Sequence, residues 1–79
     1  MQTVIKGTNS IAEYKTVKET MEKLTDEFAS RHKQAVESWA EGEPVKAWFD
    51  MDNNLCIQYE SGNWWHYNER GEWFHEPKK

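Results

Sequence analysis

Close to Pro44 the interval at which apolar residues recur changes, once, from three-and-four to two. No other feature of the chain limits its fold as strongly. Before that point Ile11, Tyr14, Val17, Met21, Leu24, Phe28, His32, Ala35 and Trp39 form one stripe, with charged residues filling the gaps. Such spacing describes a helix with a single buried side. Ser10-Ile11-Ala12-Glu13 has the form of a capping box, in which the Ser10 hydroxyl accepts from the Glu13 amide and the Glu13 carboxylate reaches back. Asn9 is a competing cap. No Gly or Pro interrupts Ser10 to Ala40, and Gly42 followed by Pro44 is a stop signal. These residues predict one long helix over about 10–40. Thr25 and Asp26 are cap-type residues at which it can break, although the apolar phase runs through them.

Beyond Pro44 the alternation is that of strands. Val45, Ala47, Phe49 and Met51 alternate with Lys46, Trp48 and Asp50, and Leu55, Ile57 and Tyr59 alternate with Cys56, Gln58 and Glu60. Two shorter runs follow, Trp64 to Asn68 and Glu72 to His75. Three turn signals separate the four runs: Asp52-Asn53-Asn54, Glu60-Ser61-Gly62 and Glu69-Arg70-Gly71. Each opens with an acid and ends on a residue that tolerates positive φ, as three-residue hairpin loops require. The expected fold is therefore α+β: one long N-terminal helix packed on a four-stranded antiparallel up-and-down β-meander over about 45–76, in a single domain of 79 residues. Thr3-Val4-Ile5-Lys6 can add an edge strand or fray, and Gly7 ends it either way.

Loops of three residues set the cross-strand partners, and partners share a face. Met51 is expected opposite Leu55, Phe49 opposite Ile57, Ala47 opposite Tyr59, Ile57 opposite Trp65, Leu55 opposite Tyr67, and Tyr67 opposite Trp73. This face needs a cover, and the helix supplies it. The other face collects Trp48, Cys56, Gln58, Trp64, His66, Asn68 and Phe74, with Lys46, Asp50, Glu60 and Glu72 around them. The only long helix being used already, these aromatics have no internal partner; exposed apolar patches mark interaction sites, and Trp is enriched at hot spots. Trp48, Trp64, His66 and Phe74, flanked by Gln58 and Asn68, are the expected binding residues. A helix of thirty residues would run about 45 Å, against about 17–20 Å for a typical strand. Its stripe therefore overhangs the sheet, and a second copy of the helix is the simplest cover, giving a homodimer.

Other chemistry is thinly represented. Cys56 and His66 fall opposite each other, but neither a third orienting group nor an oxyanion site accompanies them, and no enzymatic activity is expected. His66 and His75 fall on opposite faces, His32 lies on the helix and no Cys pair has zinc spacing, so no metal and no cofactor is expected. An aromatic sheet face is also the platform of single-strand binders, which makes single-stranded nucleic-acid binding the alternative. Such platforms sit in basic surroundings. Here Lys46, Arg70, Lys78 and Lys79 face six acids in the second half, and the whole chain carries a net charge of -4. A protein partner is favoured over nucleic acid. Gly62-Asn63-Trp64-Trp65-His66-Tyr67-Asn68 with Trp73 and Pro77 resembles part of a WW domain, and the Gly-x-Trp pieces resemble cell-wall-binding repeats. The strand count, the Trp73–Pro77 spacing and the lack of repeated units depart from both, and no family is assigned. With one cysteine there is no intramolecular disulfide, and no apolar run approaches the roughly 18 residues of a membrane span. The N-terminus lacks the basic and apolar regions of a signal peptide. The expectation is a small acidic cytoplasmic protein, regulatory in the manner of an adaptor or inhibitor.

Overall fold

The computed structural model describes residues 1–75; the end of the expected meander at 76, Pro77, Lys78 and Lys79 lie outside them. The element order is β1 (Gln2–Thr3), α1 (Ile11–Ala35), β2 (Pro44–Phe49), β3 (Leu55–Tyr59), β4 (Trp64–Tyr67) and β5 (Trp73–Phe74). The strands lie in one sheet in sequence order. Four of them form the antiparallel meander. The fifth strand corrects the expected architecture: β1 pairs parallel with β2, Thr3 beside Ala47, so the sheet is five-stranded and mixed. The helix serves as the long crossover that a parallel pair requires. Gly7, at φ 81°, turns the chain from β1 toward the helix.

Helix α1 starts where its cap was expected. Ser10 is extended and its hydroxyl accepts from the Glu13 amide at 3.1 Å. The return arm of the box differs, because the Glu13 carboxylate accepts from the Asn9 amide (3.4 Å). No break occurs at Thr25-Asp26: Thr25 is buried and its hydroxyl donates to the Met21 carbonyl at 2.7 Å. The C-terminus is earlier than expected, at Ala35, with Val36 extended (φ -103°, ψ 127°). Leaving the helix there lets Trp39 fold back, its indole N–H donating to the Gly42 carbonyl (2.8 Å) and its ring meeting Tyr59 edge-on. Gly42, at φ 82°, thus belongs to the connection and not to the helix cap. That connection is fastened to the second hairpin loop. Glu41 accepts from the Ser61 hydroxyl and the Asn63 amide group, and Glu60 accepts from the Glu43 amide.

All three hairpins have the expected loop type. In each, the residue before the loop donates its amide to the carbonyl of the residue after it, and the third loop position has positive φ: Asn53 at 62°, Gly62 at 94°, Gly71 at 81°. The second and third loops fall where expected. The first is displaced by one residue, to Met51-Asp52-Asn53. Its register therefore sets Phe49 opposite Leu55, Trp48 opposite Cys56 and Ala47 opposite Ile57, not Met51 opposite Leu55. The cause is Asp50, whose Oδ1 accepts from the amides of Asp52 (2.8 Å) and Asn54 (2.9 Å) and closes the turn. Asn68 closes the third loop in the same way, accepting from Arg70 and Glu72. The shift preserves face parity but ejects Met51, which stands fully exposed at the loop tip, and leaves Phe49 at the rim.

The core lies between α1 and one face of the sheet: Met21, Phe28 and Ala29 meet Ala47, Leu55, Ile57, Tyr59, Trp65 and Tyr67. The stripe of α1 is covered from Met21 to His32. Ile11 and Tyr14 are exposed and Val17 is half-buried, so the first turns overhang the sheet.

Candidate functional site

Strand parity sends Trp48, Cys56, Gln58, Trp64, His66 and Phe74 to the face away from α1. Among the described residues no helix or strand packs over this face. Its rings form a continuous row across β2, β4 and β5. Trp48 and Trp64 have centroids 5.2 Å apart, Trp64 and His66 5.0 Å, and His66 and Phe74 4.8 Å with planes at only 7°. Lys46 holds its ammonium 5.5 Å from the Trp48 ring. Gln58, beside Trp64, donates from its side chain to the Gly62 carbonyl. Asn68 is not part of the row: its carbonyl closes the third loop and its amide group donates to Glu72.

The row is not uniformly accessible. Trp48 and Trp64 are half-buried and Phe74 is exposed, whereas His66 keeps 7% of its surface and Cys56 none. The two ends of the row are thus the accessible part. Beside Trp48 the chain leaves a groove of about 300 Å³ where β1 diverges from β2, lined by Val4, Ile5, Val17 and Phe49 among others.

Under the row, three polar side chains converge. The His66 Nδ1 lies 2.6 Å from the Asp50 Oδ2 and 3.3 Å from the Cys56 Sγ. The three come from different segments, Asp50 just after β2, Cys56 on β3 and His66 on β4. Asp50 is the residue that sequence reasoning misplaced. Read as a rim charge, it is half-buried and joins the Cys56–His66 pair as a third polar member. Its turn bonds to Asp52 and Asn54 hold it there, on the face of Trp48 and Cys56. Burial by itself would raise the Asp50 pKa, but hydrogen bonds from Asn54, His66 and the Asp52 amide outweigh it and hold the carboxyl below its ordinary range.

Cys56 and Asp50 both meet the imidazole of His66 at Nδ1. A nucleophile–base–acid series uses both nitrogens of the imidazole, one for each partner. Here thiol and carboxylate address the same nitrogen.

The opposite face holds a second buried histidine. His32 stacks on Trp73 with centroids 4.3 Å apart and meets Trp39, Trp65 and Tyr67 edge-on. Its Nδ1 pairs with the Tyr67 hydroxyl at 2.8 Å, and that hydroxyl pairs with Tyr59 at 2.6 Å. Desolvation raises the pKa of both tyrosines, that of Tyr59 to about 12. Burial also lowers the His32 pKa, against Glu41, which raises it, and with His75, which adds to the lowering.

No helix among the described residues is long and apolar enough to cross a membrane. No protein-family model matches the chain, and no curated protein or solved structure is significantly similar to it.

Proposed function

We propose that this chain is a small non-enzymatic binding protein, of adaptor or inhibitor type, that docks on a partner protein through the aromatic face of its sheet. The observation that carries the proposal is the unbroken row Trp48–Trp64–His66–Phe74, opposite the helix-covered face, with both ends of the row reaching the surface. Large rings left half-wet contribute to the sheet only through cross-strand pairing, at about 0.2–1 kcal/mol per pair. The groove beside Trp48 adds a concavity next to an indole, the setting in which interface anchors concentrate. The same-nitrogen arrangement at His66 supports a role other than acyl or proton transfer.

Charge favours protein over single-stranded nucleic acid. Phosphate binding needs cations along the stacking surface, and the charged residues at the ends of these strands include Asp50 and Glu60 as well as Lys46. The overhanging Ile11, Tyr14 and Val17 support a further contact, self-association through the first turns of α1.

One series of measurements tests the reading. Affinity capture from the native host is run with the parent chain and with Trp64→Ala/Phe74→Ala, each checked by circular dichroism and light scattering. A defined protein retained by the parent and lost by a folded variant, with oligomeric state unchanged, supports docking at this face. Equal retention by both, or an unfolded variant, overturns it. Tryptophan quenching by an oligonucleotide that salt reverses would instead favour the nucleic-acid reading.

A further inference from the structure

The imidazole Nδ1 of His66 has one in-plane position for a proton or a lone pair, and two heteroatoms compete for it. The Asp50 carboxylate stands at 2.6 Å and the Cys56 sulfur at 3.3 Å. A cation at the centre of the three atoms serves all of them, and we propose that Asp50, Cys56 and His66 form a binding site for one zinc ion.

The donors suit that ion. Zinc takes Cys sulfur at about 2.3 Å, His nitrogen at about 2.0–2.1 Å and carboxylate oxygen at about 2.0–2.2 Å, in tetrahedral arrangement. Those radii put neighbouring nitrogen and sulfur ligands about 3.5 Å apart and nitrogen and oxygen about 3.3 Å apart. The three ligand atoms all lie within 4.8 Å of one another, with nitrogen and sulfur close to the required edge. Nitrogen and oxygen must open by about 0.7 Å on binding. The thiolate of Cys56 with the carboxylate of Asp50 balances a dication, so the filled site buries no net charge. Calcium and magnesium, which take oxygen donors, are disfavoured by the sulfur and the imidazole.

The surroundings fix the donors as metal sites need. Asp50 Oδ1 is occupied by the Asp52 and Asn54 amides, and the Asn54 side chain donates to Oδ2 from 3.1 Å, so the carboxylate is already oriented. The Phe74 ring, stacked on His66, fixes the imidazole plane. Cys56 is fully shielded from water. Three protein ligands leave the fourth position to a water. Binding needs no redox partner: the Cys56 thiol loses its proton to solvent, and the hydrogen on His66 Nδ1 gives way to the metal–nitrogen bond as the ring takes its other tautomer. One proton is released per ion when the imidazole starts neutral.

The test uses the full chain, zinc and cobalt(II). Calorimetric titration with zinc is expected to give one ion per chain, with a melting temperature that rises with zinc concentration. Cobalt is expected to produce a near-ultraviolet thiolate-to-metal charge-transfer band, which zinc displaces. Cys56→Ser should abolish the band, and Asp50→Asn should weaken zinc binding at least tenfold. A cobalt complex of the parent chain without the thiolate band overturns the proposal without recourse to any variant. So does zinc binding of undiminished strength in folded Cys56→Ser.

Discussion

His32 and His66 sit on opposite sides of the same sheet, both sheltered and both in contact with aromatic rings, yet their polar partners differ in kind. The Nδ1 of His32 meets a neutral hydroxyl, and the chain of bonds continues to a second hydroxyl, Tyr67 to Tyr59. The Nδ1 of His66 meets a carboxylate and a thiol, two groups that ionise and bind metals. A neutral network under a helix stabilises a core by satisfying buried polar atoms. On the other side a carboxylate and a thiol, groups that can carry charge, converge on one imidazole beside a half-exposed aromatic row. Burial alone would have placed both histidines in one class; their partners separate them.

The largest expected effect contrasts the two faces directly. Ile57→Ala, in the helix-covered core, should cost about 2–5 kcal/mol, whereas Phe74→Ala, on the open face, should cost about 1 kcal/mol or less. Urea titration of the two variants measures both, and equal losses would mean that the open face is core as well. A smaller effect isolates the neutral network. Tyr67→Phe removes the hydroxyl from a buried His32 and should cost about 1–3 kcal/mol. Tyr59→Phe leaves the His32–Tyr67 bond intact and should cost about 0.5–1.5 kcal/mol. The reverse order would place the anchor of that network on Tyr59.

The smallest effect separates the faces by pH. His32 titrates below its ordinary 6.5 in the fold, so the unfolded chain takes up the proton first as pH falls. Its contribution is complete above pH 6.5 and declines below it. Asp50 is held below 3.8, so its contribution is complete above that value and is lost only as pH falls further. The core face should therefore weaken first on acidification. Chemical denaturation at closely spaced pH values checks this: His32→Gln should remove the decline just below 6.5, and Asp50→Asn should leave it in place.

The helix start, the hairpin loop type and the division of residues between two faces were all legible in the sequence. They rest on local rules: a side-chain cap, positive φ at a third loop position, and a period of two. What escaped was set by competition between equivalent local signals. Asp50 and Asp52 can each open a turn, and only the full hydrogen-bond set of Asp50 decides between them. The third loop offered a clue, since Asn68 stands immediately before it and closes it by the same two amide bonds. Trp39 kept helical spacing but folds back from a loop, because its ring packs on Tyr59 and His32. The third member of the Cys56–His66 cluster shared their face in the expected register but was read as a rim charge, because parity gives the face of a side chain and not its burial or its bond to His66.

The parallel pairing of β1 carries a kinetic consequence. The three hairpins close over neighbouring residues, whereas Thr3 must find Ala47 after the whole helix has been laid down. Contacts so distant in sequence are costly to form early, so β1 should dock last in folding. Until it does, the outer edge of β2 remains an open template on which another nascent chain can add a strand. Gln2 and Thr3, once docked, take up that edge beside Lys46 and Ala47.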